Sequence, residues 1–380
     1  MIIILIIAIS LLLVFIYLLA LLIRLRKYNE SPLSINTFDG SNSPYHPSVK
    51  YKQDGFGGYE YIMVETPFFL TLPSVGDNYR DQFECPSIHY SHDGIHWLEI
   101  GENPIDNLTS EERRNKDYFS DPDLVETTYG IECWYRLNRR YGKETNQENI
   151  LLLRKISKDG IKWGEREVIA DLQVANPQVG LGKIVISQSV LYEDGKYKCW
   201  YVDDIHLHKE RICYSESSDD TRSWSDKIVV KLNGPAITPW HLHVLRDGDT
   251  LWLTIYDHHS ISLWKGTNEA KFEYVKTLVC PCGVYGSFYS NNTYRACLTK
   301  VSDNLYRLYF SADDMFHSYI GLMEGESPLL LRVVSVDAKR HIMLSELFPL
   351  IIKTKKTILY KKYQFNKNRM RRLTQKLTRK

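Results

Sequence analysis

Five times along this chain a short polar head precedes an apolar, β-branched run, and that recurrence constrains the fold more than any other feature of the sequence. The heads are Tyr45-His46-Pro47-Ser48-Val49, Ser120-Asp121-Pro122-Asp123-Leu124, Ile186-Ser187-Gln188-Ser189-Val190, Trp240-His241-Leu242-His243-Val244 and Tyr294-Arg295-Ala296-Cys297-Leu298. A second run rich in Tyr, Trp and Ile follows each: Tyr59 to Val64, Ile131 to Tyr135, Tyr197 to Val202, Leu251 to Tyr256 and Leu305 to Phe310. Such residues favour strands, so every unit opens with a hairpin. With His46, Asp121, Ser187, His241 and Arg295 as markers, the spacings are 75, 66, 54 and 54 residues. Units of that length hold four strands each and predict propeller blades, whose radial closure protects the sheet edges. The expected fold is all-β, a five-bladed β-propeller over residues 45–337.

A second repeat supports the first. Tyr90-Ser91-His92-Asp93-Gly94-Ile95-His96-Trp97 is echoed at Ile156-Ser157-Lys158-Asp159-Gly160-Ile161-Lys162-Trp163, and loosely from Tyr214 to Asp220 with Trp224. Asp-Gly supplies the left-handed backbone of a tight turn, and the Trp can cover that turn, so the device is structural.

The ends of the chain differ from its body. Met1 to Ile23 is apolar apart from Ser10 and Tyr17, and a bilayer core needs about 20 such residues, so 1–23 is expected to span a membrane as one helix. A cleaved signal peptide would carry a basic region before the apolar stretch and small residues after it. Neither is present, so the segment reads as a retained, single-pass anchor. Arg24, Arg26 and Lys27 follow it, which places the body on the cytoplasmic side by the positive-inside rule. The opposite orientation is the alternative, and the sequons Asn107-Leu108-Thr109 and Asn291-Asn292-Thr293 would suit it. Residues 24–44, rich in Ser, Asn, Pro and Gly from Tyr28 on, read as a linker without chemistry.

Charge separates body from ends. The chain's net charge is +2, but without the three basic residues after the anchor and the twelve from Lys353 to Lys380 there remain 33 basic against 46 acidic side chains. Residues 338–380 form a C-terminal segment whose basic tail is interleaved with Ile358, Tyr360, Phe365 and Leu373. That pattern suits anionic lipid rather than nucleic acid, because an anchored protein already lies beside the lipid.

Seven cysteines, most within strand-like runs, fit buried free thiols better than a disulfide framework. Cys280-Pro281-Cys282 lacks a second pair at metal-site spacing and reads as a loop. His241 and His243 fall on one side of a strand, but no carboxylate at fixed spacing completes a ligand set. No metal or cofactor is expected.

Five repeats, polar heads on inner strands and Ser-x-Asp-Gly-x-x-Trp hairpins together resemble the five-bladed propellers of glycoside hydrolase family 43 and its relatives in the invertase and levansucrase clan. The resemblance covers roughly residues 45–337. In those families the first three inner strands each bring a carboxylate to the scissile bond: a base or nucleophile, an assisting Asp and a general-acid Glu. By position, Asp121 or Asp123 matches the assisting carboxylate. This chain departs from the pattern at His46 on the first strand and at Ser187 or Gln188 on the third.

Glycoside cleavage requires two carboxyl groups, so replacements are sought in loops that open on the same face. Glu84 is the candidate second carboxyl, beside Asp121 and Asp123 as catalytic candidates. Candidate substrate-binding residues are His46, Arg136, Gln188, Asp203, His241, His243, Asp257 and Arg295, with Asp204, His206, His208, Arg139 and Arg140 on neighbouring loops. The resemblance implies a membrane-anchored carbohydrate-active propeller acting on a glycosidic bond in a central pocket. Two alternatives stand beside it. One is a non-catalytic propeller that binds a glycan or scaffolds polysaccharide-assembly enzymes; the other is a phosphorylase similar to the mannoside phosphorylases, with arginines holding phosphate. The expected partners are a glycan, the membrane and those assembly enzymes.

Overall fold

The computed structural model describes residues 2–68, 84–115, 117–139, 149–172, 185–203, 210–218, 221, 223–284 and 286–337. Helix α1 (Ile2–Lys27, 26 residues) comes first. At 1.5 Å per residue it is about 39 Å long, enough to cross a hydrocarbon core of about 30 Å. Its outer turns expose Ile4 to Ile16 to the surroundings.

Five antiparallel sheets follow. Blade 1 is β1 (Pro44–Phe56), β2 (Tyr59–Pro67), β3 (Ser87–Ser91) and β4 (Leu98–Glu99); a short helix α2 (Ser110–Asn115) then leads to blade 2. Blade 2 is β5 (Tyr118–Thr127), β6 (Gly130–Arg139), β7 (Asn149–Ser157) and β8 (Glu167–Asp171). Blade 3 is β9 (Ile186–Glu193), β10 (Lys196–Asp203), β11 (Arg211–Ser218) and β12 (Ile228–Val229). β13 (Lys231–Asn233) joins the outer edge of blade 4 in parallel, beyond β14 (His241–Asp247), β15 (Thr250–Tyr256), β16 (Ile261–Asn268) and β17 (Lys271–Val279). Blade 4 therefore has five strands where the repeat length predicts four. Blade 5 is β18 (Asn292–Ser302), β19 (Leu305–Asp313), β20 (Ser318–Gly325) and β21 (Arg332–Val333).

The five first strands touch in a ring, β1 to β5 to β9 to β14 to β18 and back to β1. Each marker residue of the sequence repeat thus lies near the start of an innermost strand. All-β architecture and five blades are as the repeat predicts.

A belt of hydrogen bonds ties the blades together. In every blade the residue two after the marker accepts the backbone N–H of the next blade. Leu124 N–H reaches Ser48 Oγ (3.0 Å), Val190 N–H reaches Asp123 Oδ2 (2.9 Å) and Val244 N–H reaches Ser189 Oγ (3.0 Å). Leu298 N–H reaches His243 Nδ1 (3.3 Å), and Val49 N–H reaches Cys297 Sγ (3.2 Å) to close the ring. Inner-strand N–H groups have no ladder partner on their axial side, and buried donors must be satisfied.

The Asp-Gly turns also join blades. Tyr90 Oη of blade 1 donates to the Gly160 carbonyl of blade 2 (2.6 Å), and Tyr309 Oη of blade 5 to that of Gly94 in blade 1 (3.0 Å). Gly94 and Gly160 have φ of 72° and 80°, the left-handed region that Gly tolerates.

The segment that reads as a tether is packed. Leu33 and Ile35 are buried among Val49, Tyr61, Cys297, Tyr309 and Ile320, and Leu33 N–H donates to the Ile320 carbonyl (2.9 Å). This latch covers the seam between blades 5 and 1. Of the seven cysteines, five are buried in the blades and Cys280 is exposed. The C-terminal segment 338–380, with its basic tail, lies outside the described residues.

Candidate active site

Four of the five inner strands carry a bulge at the head. Between Tyr45 and Ser48, Ser120 and Asp123, Ile186 and Ser189, and Thr293 and Ala296, the inner strand has one residue more than its partner. His46, Asp121 and Ser187 adopt φ of 51°, 52° and 49° at these bulges. A bulge re-aims its side chain, and recurrence at matched positions turns the heads toward the common axis.

Asp121 occupies the centre. Arg136 Nη2 from β6 donates to Oδ2 of its carboxylate. His241 Nδ1 lies 3.2 Å, and Arg295 Nη1 3.8 Å, from Oδ1. The Asp121 carbonyl accepts Gln188 Nε2 at 2.5 Å, and Arg295 Nη2 donates to the Gln188 carbonyl at 3.2 Å. His46 completes the cluster, its ring 5.6 Å from that of His241 and its Nδ1 3.0 Å from Thr66 Oγ1. All of these side chains are buried.

Burial pushes the Asp121 carboxyl up, but Arg136, His241 and His46 outweigh it and hold the group well below the usual carboxylate range. Glu84 is shifted the other way: burial and the charge of Asp121 raise it well above its ordinary value, with Arg136 opposing. The two carboxyls are thus pushed apart, Asp121 toward its ionised form and Glu84 toward its protonated form, the split that an acid and its charged partner need. Burial also lowers both His46 and His241, leaving their imidazoles neutral.

Several buried atoms at this centre have no hydrogen-bond partner among the described residues: His241 Nε2, Gln188 Oε1, Glu84 Oε2, Arg136 Nε and Arg295 Nε, while Asp121 Oδ1 has only the approaches of His241 Nδ1 and Arg295 Nη1. A buried polar atom without a partner costs about 1–3 kcal/mol, so these atoms call for water or a bound species as partner. His46, Asp121 and His241 each offer a ligand atom, all within 4.8 Å of one another. Two neutral imidazoles and one carboxylate are a fitting donor set for a divalent cation such as zinc. The sequence reading, which sought the carboxylate at fixed spacing near His241, does not find this set, because Asp121 comes from two blades earlier.

An aromatic collar also escaped the sequence reading. Tyr294 lies edge-on to His241 (4.2 Å between centroids), stacks on Tyr45 (5.1 Å) and packs against Tyr256 (4.9 Å); Trp240 Nε1 donates to its hydroxyl (2.8 Å). The signal was present as Tyr45, Trp240 and Tyr294, each directly before a marker residue. Flat rings beside polar groups suit a sugar, which has one apolar face and a polar rim.

The remaining candidates lie elsewhere. Asp123 and His243 belong to the belt one layer below the heads. Asp123 also accepts Ser48 Oγ (2.8 Å), and His243 Nε2 meets Cys297 Sγ (3.3 Å). Asp203 pairs with Lys227 (2.7 Å) and Arg211 (3.7 Å) inside its own blade. Asp257 caps a turn by accepting the N–H groups of His259 and Ser260. Arg139 pairs with Asp171. Arg140, Asp204, His206 and His208 lie outside the described residues.

A cavity of about 380 Å3 lies at the opposite end of the axis, lined by the far ends of all five inner strands, including Lys50, Thr128, Tyr192, Arg246 and Lys300. None of the marker residues His46, Asp121, Ser187, His241 and Arg295 lines it. Arg246 is already paired with Glu193, and Lys300 with Asp247 and Asp303. The orphaned atoms favour the head end.

No family model and no curated protein matches the sequence. Solved structures do share the fold. An N-acetylgalactosamine deacetylase from F. plautii, in complex with blood group B trisaccharide, aligns at 18% identity over 78% of this chain and 95% of that one, with a TM-score of 0.60. A glycoside hydrolase family 43 enzyme from Xanthomonas citri, complexed with xylotriose, aligns at 9% identity over 85% and 99%, TM-score 0.53. A family 43 β-1,3-galactosidase with galactodeoxynojirimycin aligns at 10% identity over 83% and 100%, TM-score 0.51.

Proposed function

We propose that this propeller, held at a membrane by α1, is a hydrolase acting on a glycan at the head end of its axis. The observation that carries the reading is the set of unpartnered buried atoms around Asp121, framed by Tyr45, Tyr256 and Tyr294. In glycosidic cleavage, Glu84, kept neutral by burial, is the proton donor to the leaving oxygen. Asp121 is the ionised partner that stabilises positive charge developing on the sugar. Arg136 holds Asp121 ionised, and the aromatic collar orients the ring. A sugar bound there would also supply hydrogen-bond partners to Gln188 Oε1 and Arg295 Nη1.

One further observation favours a second reading, hydrolysis of a substituent on the glycan. A divalent cation held by His46, Asp121 and His241 would activate water for attack on an acyl group. Glu84 would give its proton to the leaving group as the bond to the acyl carbon breaks, and the proton released by the water would restore it. The F. plautii neighbour is a deacetylase and the X. citri neighbour a glycoside hydrolase family 43 enzyme, so fold alone does not choose between the two readings.

The test is turnover by the purified full chain on a panel of glycosides and N-acetylated oligosaccharides, with water or phosphate as acceptor, before and after chelation. Free sugar insensitive to EDTA supports the first reading. Acetate released only with metal supports the second. Sugar 1-phosphate would establish the phosphorylase alternative instead, and glycan binding without turnover would leave a binding propeller.

A further inference from the structure

The anchor helix and the heads share one face of the propeller. The last turns of α1 bury Leu22 and Leu25 against Val284, with Cys282 and Tyr28 packed alongside. Val284 belongs to the connection from β17 to β18, which leads into the head of blade 5. Tyr28 packs edge-on against Tyr289 of the same connection (6.3 Å), and Tyr289 Oη donates to Glu30 (3.1 Å). Four residues after α1, Ser31 N–H donates to Ser335 Oγ (3.0 Å), and Asp337 N–H donates to Ser31 Oγ (2.7 Å). A connection from an outermost to the next innermost strand lies, by propeller topology, at the end where inner strands begin. That is the end bearing His46, Asp121, His241 and Arg295.

Arg24, Arg26 and Lys27, on the same last turns of α1, are exposed. Basic side chains at the end of an apolar helix mark the level of lipid headgroups. Headgroup level and the docked connection therefore coincide, and the docking is apolar and hydrogen-bonded rather than a free tether.

We infer that the propeller is fixed with its head face toward the bilayer, and that its substrate is a glycan tethered to lipid and presented at the membrane surface. This rests on the glycan-directed reading of the head site and on α1 spanning the bilayer. A substrate that must reach a membrane-facing site is restricted to two dimensions, and tethering raises its effective concentration there.

Two measurements on the full chain in phosphatidylcholine–phosphatidylglycerol vesicles test the inference. In a Cys280→Ser, Cys282→Ser background, a fluorophore is placed at His259→Cys, on an exposed loop of the head face, or at Asp194→Cys, on a turn at the far face. Headgroup spin-labelled lipid should quench the first at least about twofold more than the second. Next, one oligosaccharide is offered on a diacylglycerol tail in the vesicle or on a propyl group in solution. The tethered form should turn over about tenfold faster. A Gly-Ser insertion between Lys27 and Tyr28, or Val284→Asp, should remove that advantage while leaving the rate on the soluble form. Stronger quenching at the Asp194 position, or equal rates on the two forms, overturns the inference and leaves the glycan hydrolase standing. Neither form bound or processed, with the quenching pattern intact, overturns the proposed function and the substrate class that rests on it.

Discussion

Asp121 and Asp123, two residues apart on β5, should separate cleanly by mutation. Asp123 sits in the inter-blade belt at the position filled by Ser48, Ser189, His243 and Cys297 in the other blades. Its carboxylate accepts Ser48 Oγ (2.8 Å) and Val190 N–H (2.9 Å), and Arg295 Nη2 lies 3.7 Å away. Asp123→Ala leaves both donors buried without an acceptor. Each orphan costs about 1–3 kcal/mol, or about 2–6 together. At ~2 °C per kcal/mol for a large domain, the melting temperature should fall by ~4–12 °C. Asp123→Asn keeps one acceptor and removes a charge that burial already disfavours, so about 1–3 kcal/mol is expected. Turnover by the folded fraction should stay within about threefold of the parent in both. Asp121→Asn should instead lower turnover by about 10² or more, the scale of losing a catalytic carboxyl. It should also destabilise, because the buried Arg136 guanidinium loses its partner. Differential scanning fluorimetry and initial rates on the same preparations decide the matter. Full stability with lost turnover in Asp123→Asn would refute the belt assignment.

Metal analysis of the purified protein should find about one divalent ion per chain if the second reading holds, and His46→Ala with His241→Ala should abolish it; retention in that double variant would remove the site. Gly94→Ala should destabilise by more than about 1 kcal/mol, since its φ is 72° and a Cβ would collide with Arg307 and Tyr309; an unchanged urea midpoint would contradict this. Leu33→Ala, in the latch over the blade 5–blade 1 seam, should cost about 2–5 kcal/mol, read as earlier proteolysis at that seam; parental protease resistance would return 31–36 to the status of a tether. Burial pushes the Asp93 carboxyl up, but hydrogen bonds from His96 and from the N–H groups of His96 and Ile95 hold it below its ordinary value. Its contribution is therefore full above pH ~4, the unfolded value, and lost as pH falls below it. The melting-temperature gap between the parent and Asp93→Asn should close between pH 5 and 2, and a gap that widens would reverse the sign.

The fold was legible because blade periodicity is written in local residue types. Alternating apolar runs, Asp-Gly turns and polar heads each report on their own strand. The belt was half legible: Ser48, Asp123, Ser189, His243 and Cys297 stand at one offset from the heads, but their common trait is accepting one N–H, which Cys and His share with Asp only in a given geometry. The site was less legible. Asp121 meets Arg136 on its own hairpin, 15 residues on, yet it meets His241 from two blades away. Such a pairing exists only once the ring has closed. The latch of Leu33 and Ile35 was missed for a different reason: two apolar residues among Ser, Asn and Pro read as linker by composition, and burial at a seam leaves no periodicity.

Backbone strain at the heads supports the proposal that this centre is a site and not merely a hub. His46, Asp121 and Ser187 share a left-handed backbone that costs a non-glycine residue about 1–2 kcal/mol, or about 3–6 for the three, comparable with the net stability of many domains. Glycine or a regular ladder would relieve it. Blade 4 shows the alternative, for His241 pairs with Tyr256 without a bulge. The belt directly beneath does not by itself demand the bulge, since His243 holds the same place in blade 4 without one. In the other three blades Ser48, Asp123 and Ser189 are fixed by neighbouring blades, and the residue two before each turns within a single bulge to face the axis. Strain supported in this way is spent on aim. It brings the Asp121 carboxylate between two imidazoles and two guanidinium groups.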